Sequence, residues 1–131
     1  MTAQGDSIVA FLDSAITARE CKATAAAGEH GADWYYEDGF VRARREDDMV
    51  ATGSQDFLER KQGEHIALND PASVLRRCAA DRKLIAEHRR LSLPPDVVYD
   101  ECRLCGESNE AWPCPTLVIL AEGYGWTEGE R

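Results

Sequence analysis

The residues with the clearest chemistry lie in the last third of the chain. They are Cys102 and Cys105 in the run Cys102-Arg103-Leu104-Cys105-Gly106, then Cys114, with His88 upstream. Three thiols and one imidazole are a donor set that zinc prefers. A Cys-x2-Cys-Gly run makes a tight turn that aims two thiolates at one point, and the glycine provides the backbone freedom that turn needs. Cys114 stands directly before Pro115, where it would cap a helix and have its thiolate favoured by the helix dipole and free N–H groups. The set His88, Cys102, Cys105 and Cys114 is therefore expected to hold one structural zinc ion. His65 and Cys78 are alternatives to His88. Cys78 would stand about 15 Å up the same helix from His88, on an apolar face where a cysteine is more often a small core residue. Cys21 reads as a plain thiol. Two other readings compete with zinc, namely unmetallated thiols and a redox dithiol. A redox dithiol normally follows a strand and opens a helix, whereas Glu107-Ser108-Asn109 after this pair is turn-like.

These residues need elements to position them. Asp6 or Ser7 can cap a first helix on which Ile8, Phe11, Leu12, Ala15 and Ile16 repeat at helical spacing, and Gly28 stops it. Trp34-Tyr35-Tyr36 then leads into Asp38-Gly39, a strong hairpin signal, and Phe40 to Arg44 leads out. Met49 to Thr52 reads as a third strand and His65 to Leu68 as a fourth, with a polar loop over 53–63 between them. Asp70 caps the central helix and Pro71 occupies its first position, where a missing N–H costs nothing. Val74, Cys78, Ile85 and His88 share one face of that helix, widened by Leu84 and Leu91. Asp81 lies on the same face and needs a partner if buried. Arg76, Lys83 and Arg90 repeat every seventh residue on the other side. The helix is expected to end by Leu93, because Pro94-Pro95 cannot continue it. Asp96 to Tyr99 can form a short strand, and Pro115 opens a last short helix stopped by Gly123. The fold class expected is α+β: an N-terminal helix, a small antiparallel sheet of three to four strands, a long central helix, and a C-terminal zinc-knuckle segment with a short helix. A chain of 131 residues fits one domain, with 1–91 as its helix–sheet–helix part and 92–131 as its knuckle part.

Composition bounds the partners. The formal net charge is −9, and it is segregated: residues 1–70 carry −7, residues 71–91 carry +4, and residues 92–131 carry −6. Overall acidity repels polyanions at long range, which disfavours nucleic acid and anionic lipid and favours a protein partner with a basic surface, or no charged partner at all. No apolar run is long enough to cross a bilayer, and Met1 to Ser7 lacks the basic flank of a signal peptide. The expected location is cytoplasmic, where five cysteines are thiols or ligands before they are disulfides. An enzyme is not expected. Four protein ligands leave zinc no open position for water, and the chain has no nucleotide-binding glycine loop, nucleophile elbow or paired-His motif. His30 and His65, each beside a glutamate, read as surface residues. The functional expectation is a small acidic, zinc-stabilised adaptor or regulator that binds a protein through Trp34, Tyr35 and Tyr36 or through its acidic tail. For the three aromatics, a packed sheet face is the stronger reading. The alternative function is a nucleic-acid-binding regulator that uses Arg76, Lys83 and Arg90, although a solvated helix face explains that stripe better.

Several of these segments together resemble a family of small uncharacterised proteins from actinobacteria and their phages. They are His65-Ile66-Ala67-x-x-Asp70-Pro71-x-x-Val74-Leu75-Arg76, Ile85-x-x-His88, Cys102-x2-Cys105 and Pro113-Cys114-Pro115-Thr116-Leu117, with Leu120-Ala121, Tyr124 and the N-terminal Ile8-Val9-Ala10-Phe11-Leu12. The resemblance covers most of the chain and is most specific around Asp70-Pro71. It implies a source and no activity, and the acidic tail after Tyr124 departs from the family pattern.

Overall fold

The structure is a computed structural model that describes residues 2–94, 96–106 and 112–127. The elements in chain order are α1 (Thr2–Ala27), β1 (Trp34–Glu37), β2 (Phe40–Ala43), β3 (Asp48–Ala51), a 3-10 turn at Ser54–Asp56, α2 (Arg60–Leu68), α3 (Pro71–Glu87), β4 (Arg90–Leu93), β5 (Val97–Cys102) and α4 (Pro115–Gly123). This is the α+β arrangement expected, with three strands in the first sheet. The chain divides into two compact units, one of Ala18–Cys78 and one of Met1–Thr17 with Ala79–Arg131. Both α1 and α3 contribute residues to each unit.

The unit of Ala18–Cys78 is built on the antiparallel meander β1-β2-β3. Asp38-Gly39 makes the tight turn, both residues with positive φ, and Glu37 pairs with Phe40 across it. The central strand β2 alternates as a half-buried strand should, with Val41 and Ala43 fully buried and Phe40 and Arg42 half-exposed. The Asp70 cap forms as expected. One carboxylate oxygen accepts the Ser73 N–H at 2.8 Å, and the other accepts the Trp34 N–H at 2.9 Å, tying the start of α3 to β1.

The fourth strand expected at His65 to Leu68 does not form, because these residues are the last turn of α2. Gly63 explains both the structure and the misreading. A glycine inside a helix costs about 1 kcal/mol against alanine, which weakens the helical signal in the sequence. Here a Cβ at position 63 would stand 2.0 Å from a ring carbon of Tyr36, so the bare backbone lets α2 lie directly on that ring. The Tyr36 hydroxyl in turn donates to the Leu58 carbonyl at 2.8 Å and accepts the Gly39 N–H at 3.1 Å. An Arg60–Glu64 ion pair at 3.1 Å spans one turn of α2 on its exposed side. The stretch expected to be loop over 53–63 is thus partly the 3-10 turn and partly α2.

The second unit has its core between the first turns of α1 and the C-terminal segment. Ile8 and Leu12 pack with Cys102, Trp112, Cys114, Leu117, Ala121 and Trp126. Phe11 meets Trp126 edge to face at 5.2 Å, a favoured arrangement of two ring quadrupoles. Asp81 is buried, as the helical wheel implies, and accepts a hydrogen bond from the Tyr124 hydroxyl, which supplies the partner it needs. The central helix stops at Glu87, earlier than expected, and Arg90–Leu93 becomes β4, paired antiparallel with Val97–Cys102. Leu91-Ser92-Leu93 alternates with period two before Pro94, and that short alternation also fits the edge of a helical stripe. The candidate strand near Asp96 to Tyr99 is therefore real and longer, reaching Cys102.

Candidate metal centre

Each of the four expected ligands is brought to one point by a separate local structure. His88 is the first residue past α3, and its N–H still bonds the Leu84 carbonyl at 3.0 Å, so the helix end fixes its position. Cys102 ends β5, where it pairs with Arg90 just beyond His88. Cys105 follows in the turn, which closes with the Gly106 N–H on the Cys102 carbonyl at 2.9 Å and with Gly106 at positive φ. Cys114 precedes Pro115 at the start of α4. It occupies the N-cap position of that helix, as expected, but its side chain makes no cap hydrogen bond there. The sulfur turns to His88 instead.

The geometry around His88 is specific. Its Nδ1 lies 3.4 Å from the Cys102 Sγ, 3.6 Å from the Cys105 Sγ and 3.4 Å from the Cys114 Sγ. All four ligand atoms lie within 4.8 Å of one another. A ring nitrogen has either one proton or one lone pair, so three sulfurs cannot all hydrogen-bond to it. A tetrahedral ion with metal–sulfur bonds of about 2.3 Å and a metal–nitrogen bond of about 2.0–2.1 Å requires nitrogen–sulfur edges of about 3.6 Å. The three observed separations fit those edges. His88, Cys102 and Cys114 are buried while Cys105 reaches the surface, which gives an otherwise enclosed cluster one exposed side.

The surroundings hold these ligands in place. Trp112 donates its indole N–H to the His88 carbonyl at 2.9 Å, and the Arg103 N–H bonds the Arg89 carbonyl at 2.8 Å. The first ties His88 to the residues just before Cys114, and the second ties the segment after α3 to the cysteine turn. Burial pushes the Cys102 thiol up, but the N–H groups of Cys105 and Leu104, together with the His88 ring, outweigh it and hold the thiol at about 7. The Cys105 thiol is pushed up to about 11, first by its hydrogen bond with Cys102 and then by desolvation and the nearby sulfurs of Cys114 and Cys102. Cys102 thus ionises readily while Cys105 resists ionisation. A divalent cation removes that resistance by supplying the missing positive charge. The four side chains form a largely buried group that could hold a metal ion.

The alternatives to His88 are elsewhere. His65 is exposed on α2, Cys78 is buried in α3, and neither belongs to the cluster. Cys21 is an exposed free thiol, as read from the sequence. The basic stripe is corrected by the early end of α3. Arg90 belongs to β4, where its guanidinium pairs with Asp100 at 3.2 Å and stacks over the Trp112 ring at 5.0 Å. It cannot extend a helical row begun by Arg76 and Lys83. Trp34, Tyr35 and Tyr36 are half-buried strand residues, as the packed-sheet reading has it. The acidic tail beyond Thr127 lies outside the described residues.

One grouping escaped the sequence reading. His30, Glu46 and Asp48 converge on the surface, with His30 Nδ1 2.7 Å from an Asp48 carboxylate oxygen. They come from the segment after α1, from a turn and from β3, and no spacing in the sequence relates them. Among the described residues no helix is long and apolar enough to cross a membrane.

The chain belongs to a family of unknown function (DUF6221), whose model matches residues 5–125. No curated protein and no solved structure matches it.

Proposed function

We propose that this is a small zinc-stabilised protein of the cytoplasm that acts by binding another protein, and that it catalyses no reaction. The carrying observation is the tripod of Cys102, Cys105 and Cys114 sulfurs around the single His88 nitrogen. Three thiolates and one neutral imidazole fill a tetrahedral zinc shell. No position is then left for a metal-bound water or substrate, so the ion serves folding and not chemistry. Thiolate-rich sites also select soft or borderline cations over magnesium, calcium or manganese. In a reducing compartment such thiols stay available as ligands.

A protein partner follows from charge. The chain carries −9, and a field of that sign opposes the phosphate contacts that give nucleic-acid binding most of its non-specific affinity. Arg90, engaged with Asp100 and Trp112, is a poor phosphate contact. The test has two arms. Affinity capture from the source cells, followed by reconstitution with the purified partner, should yield a defined stoichiometric protein complex. A duplex-DNA titration at physiological salt should show no binding. Tight DNA binding that weakens with salt and is lost on charge reversal of Arg76 and Lys83 would overturn the reading.

A further inference from the structure

Within the unit that holds the candidate metal centre, residues of α1 and α3 line an open pocket of about 630 Å³ together with Arg89, Arg90, Trp112 and Leu117. Its walls combine two chemistries. Val9, Ile85, Leu117 and Trp112 supply an apolar lining, and Arg82, Arg89 and Arg90 line it with them. Asp6 and Asp13 are also among its lining residues. Three cations against two anions leave one net positive charge in a chain whose total is −9. That local reversal is not shared equally among the arginines. Arg82 pairs with Asp13 at 3.0 Å and donates to the Thr17 hydroxyl at 2.9 Å. Arg89 has no ion pair among the described residues. Arg90 pairs with Asp100, but its Nε–H is buried without an acceptor among the described residues.

We propose that this pocket binds a small organic acid: an aromatic or similarly compact apolar body lies on Val9, Ile85, Leu117 and Trp112, and its carboxylate is received by Arg89, the one lining arginine without an ion pair among the described residues. The volume falls in the range of about 300–1,000 Å³ typical of small-molecule sites, which combine an apolar lining with a few polar groups. A guanidinium presents its donors in the fork that fits a carboxylate. The charge of the site selects one negative charge: a phosphate dianion would meet Asp6 and Asp13, and a cation would meet Arg89. A neutral ligand of the same shape would leave the arginine donors desolvated and unpaired, which costs affinity. The inference goes beyond protein binding and stands whether or not a protein partner exists.

The probes are 9-anthracenecarboxylate and its neutral counterpart 9-anthracenemethanol, titrated by fluorescence anisotropy into the full metal-loaded chain. The acid is expected to bind one per chain, at least tenfold tighter than the alcohol. Arg89→Gln should erase that preference while leaving alcohol binding in place. Ala86→Phe, at an exposed position on the cavity wall, should fill the space and weaken both ligands by tenfold or more. Unchanged metal content and circular dichroism in both variants show that the fold is intact. Equal binding of acid and alcohol, or binding untouched by both variants, overturns the proposal, as does no binding at millimolar ligand.

Discussion

Replacing Asp70 should cost more than the loss of an ordinary helix cap, because its carboxylate serves two elements. One oxygen holds the Ser73 N–H at the start of α3 and the other holds the Trp34 N–H at the start of β1, and the residue is only 4% exposed. Removing a cap alone costs about 1 kcal/mol. Leaving the partly buried Trp34 N–H without an acceptor adds about 1–3 kcal/mol. Asp70→Ala should therefore lower the unfolding free energy by about 2–4 kcal/mol, measured by urea denaturation at neutral pH. Asp70→Asn keeps an acceptor for the cap but loses the charge, so it should fall between the two. The pH dependence has a definite sign. Burial raises the Asp70 pKa, but the N–H groups of Trp34 and Ser73 and the Ser73 hydroxyl outweigh it, so the folded value lies below the ordinary one. The stabilisation is then complete above the unfolded value of about 3.9 and disappears as the pH falls through the folded value. The gap between the parent chain and Asp70→Asn should accordingly be constant from pH 7 to about 5 and shrink below 4. An Asp70→Ala protein within about 0.5 kcal/mol of the parent, inside the usual range of surface substitutions, would refute the two-element role.

Gly63→Ala offers a contest between two effects. Alanine favours the helix by about 1 kcal/mol, yet its Cβ would stand 2.0 Å from a Tyr36 ring whose hydroxyl is tied at both ends. Overpacking of about 1–3 kcal/mol should win, and thermal unfolding should show a lower midpoint; a higher midpoint would mean that Tyr36 moves aside freely. Tyr124→Phe removes the hydroxyl that donates to buried Asp81 and should destabilise the chain by about 1–3 kcal/mol, with a near-neutral effect in denaturation counting against that contact.

How much of this was legible in the sequence depended on whether the signal was local. Asp70-Pro71 and Asp38-Gly39 encode their own geometry in two residues, and the structure follows both. The grouping of these four side chains was also legible, because His88 sits at a helix end and Cys102-x2-Cys105-Gly106 and Cys114-Pro115 each define a turn or a helix start. Features that depend on distant partners were not. Gly63 reads as a helix breaker until Tyr36 is seen beneath it. Leu91 and Leu93 fit a helix edge or a strand equally well, and pairing with β5 decides between them. The seven-residue row ending at Arg90 failed for the same reason. The arginine-lined cavity joins residues from 6 to 117, and no motif in the sequence points to it.

The central claim is that His88, Cys102, Cys105 and Cys114 hold a metal ion that stabilises the fold, and elemental analysis of protein purified without added metal tests it most directly. The account predicts one zinc per chain, with Cys21 titrating freely and the three cluster cysteines protected until a chelator removes the ion. Protein without zinc, and with the three cluster cysteines no better protected before a chelator is added than after it, would contradict it.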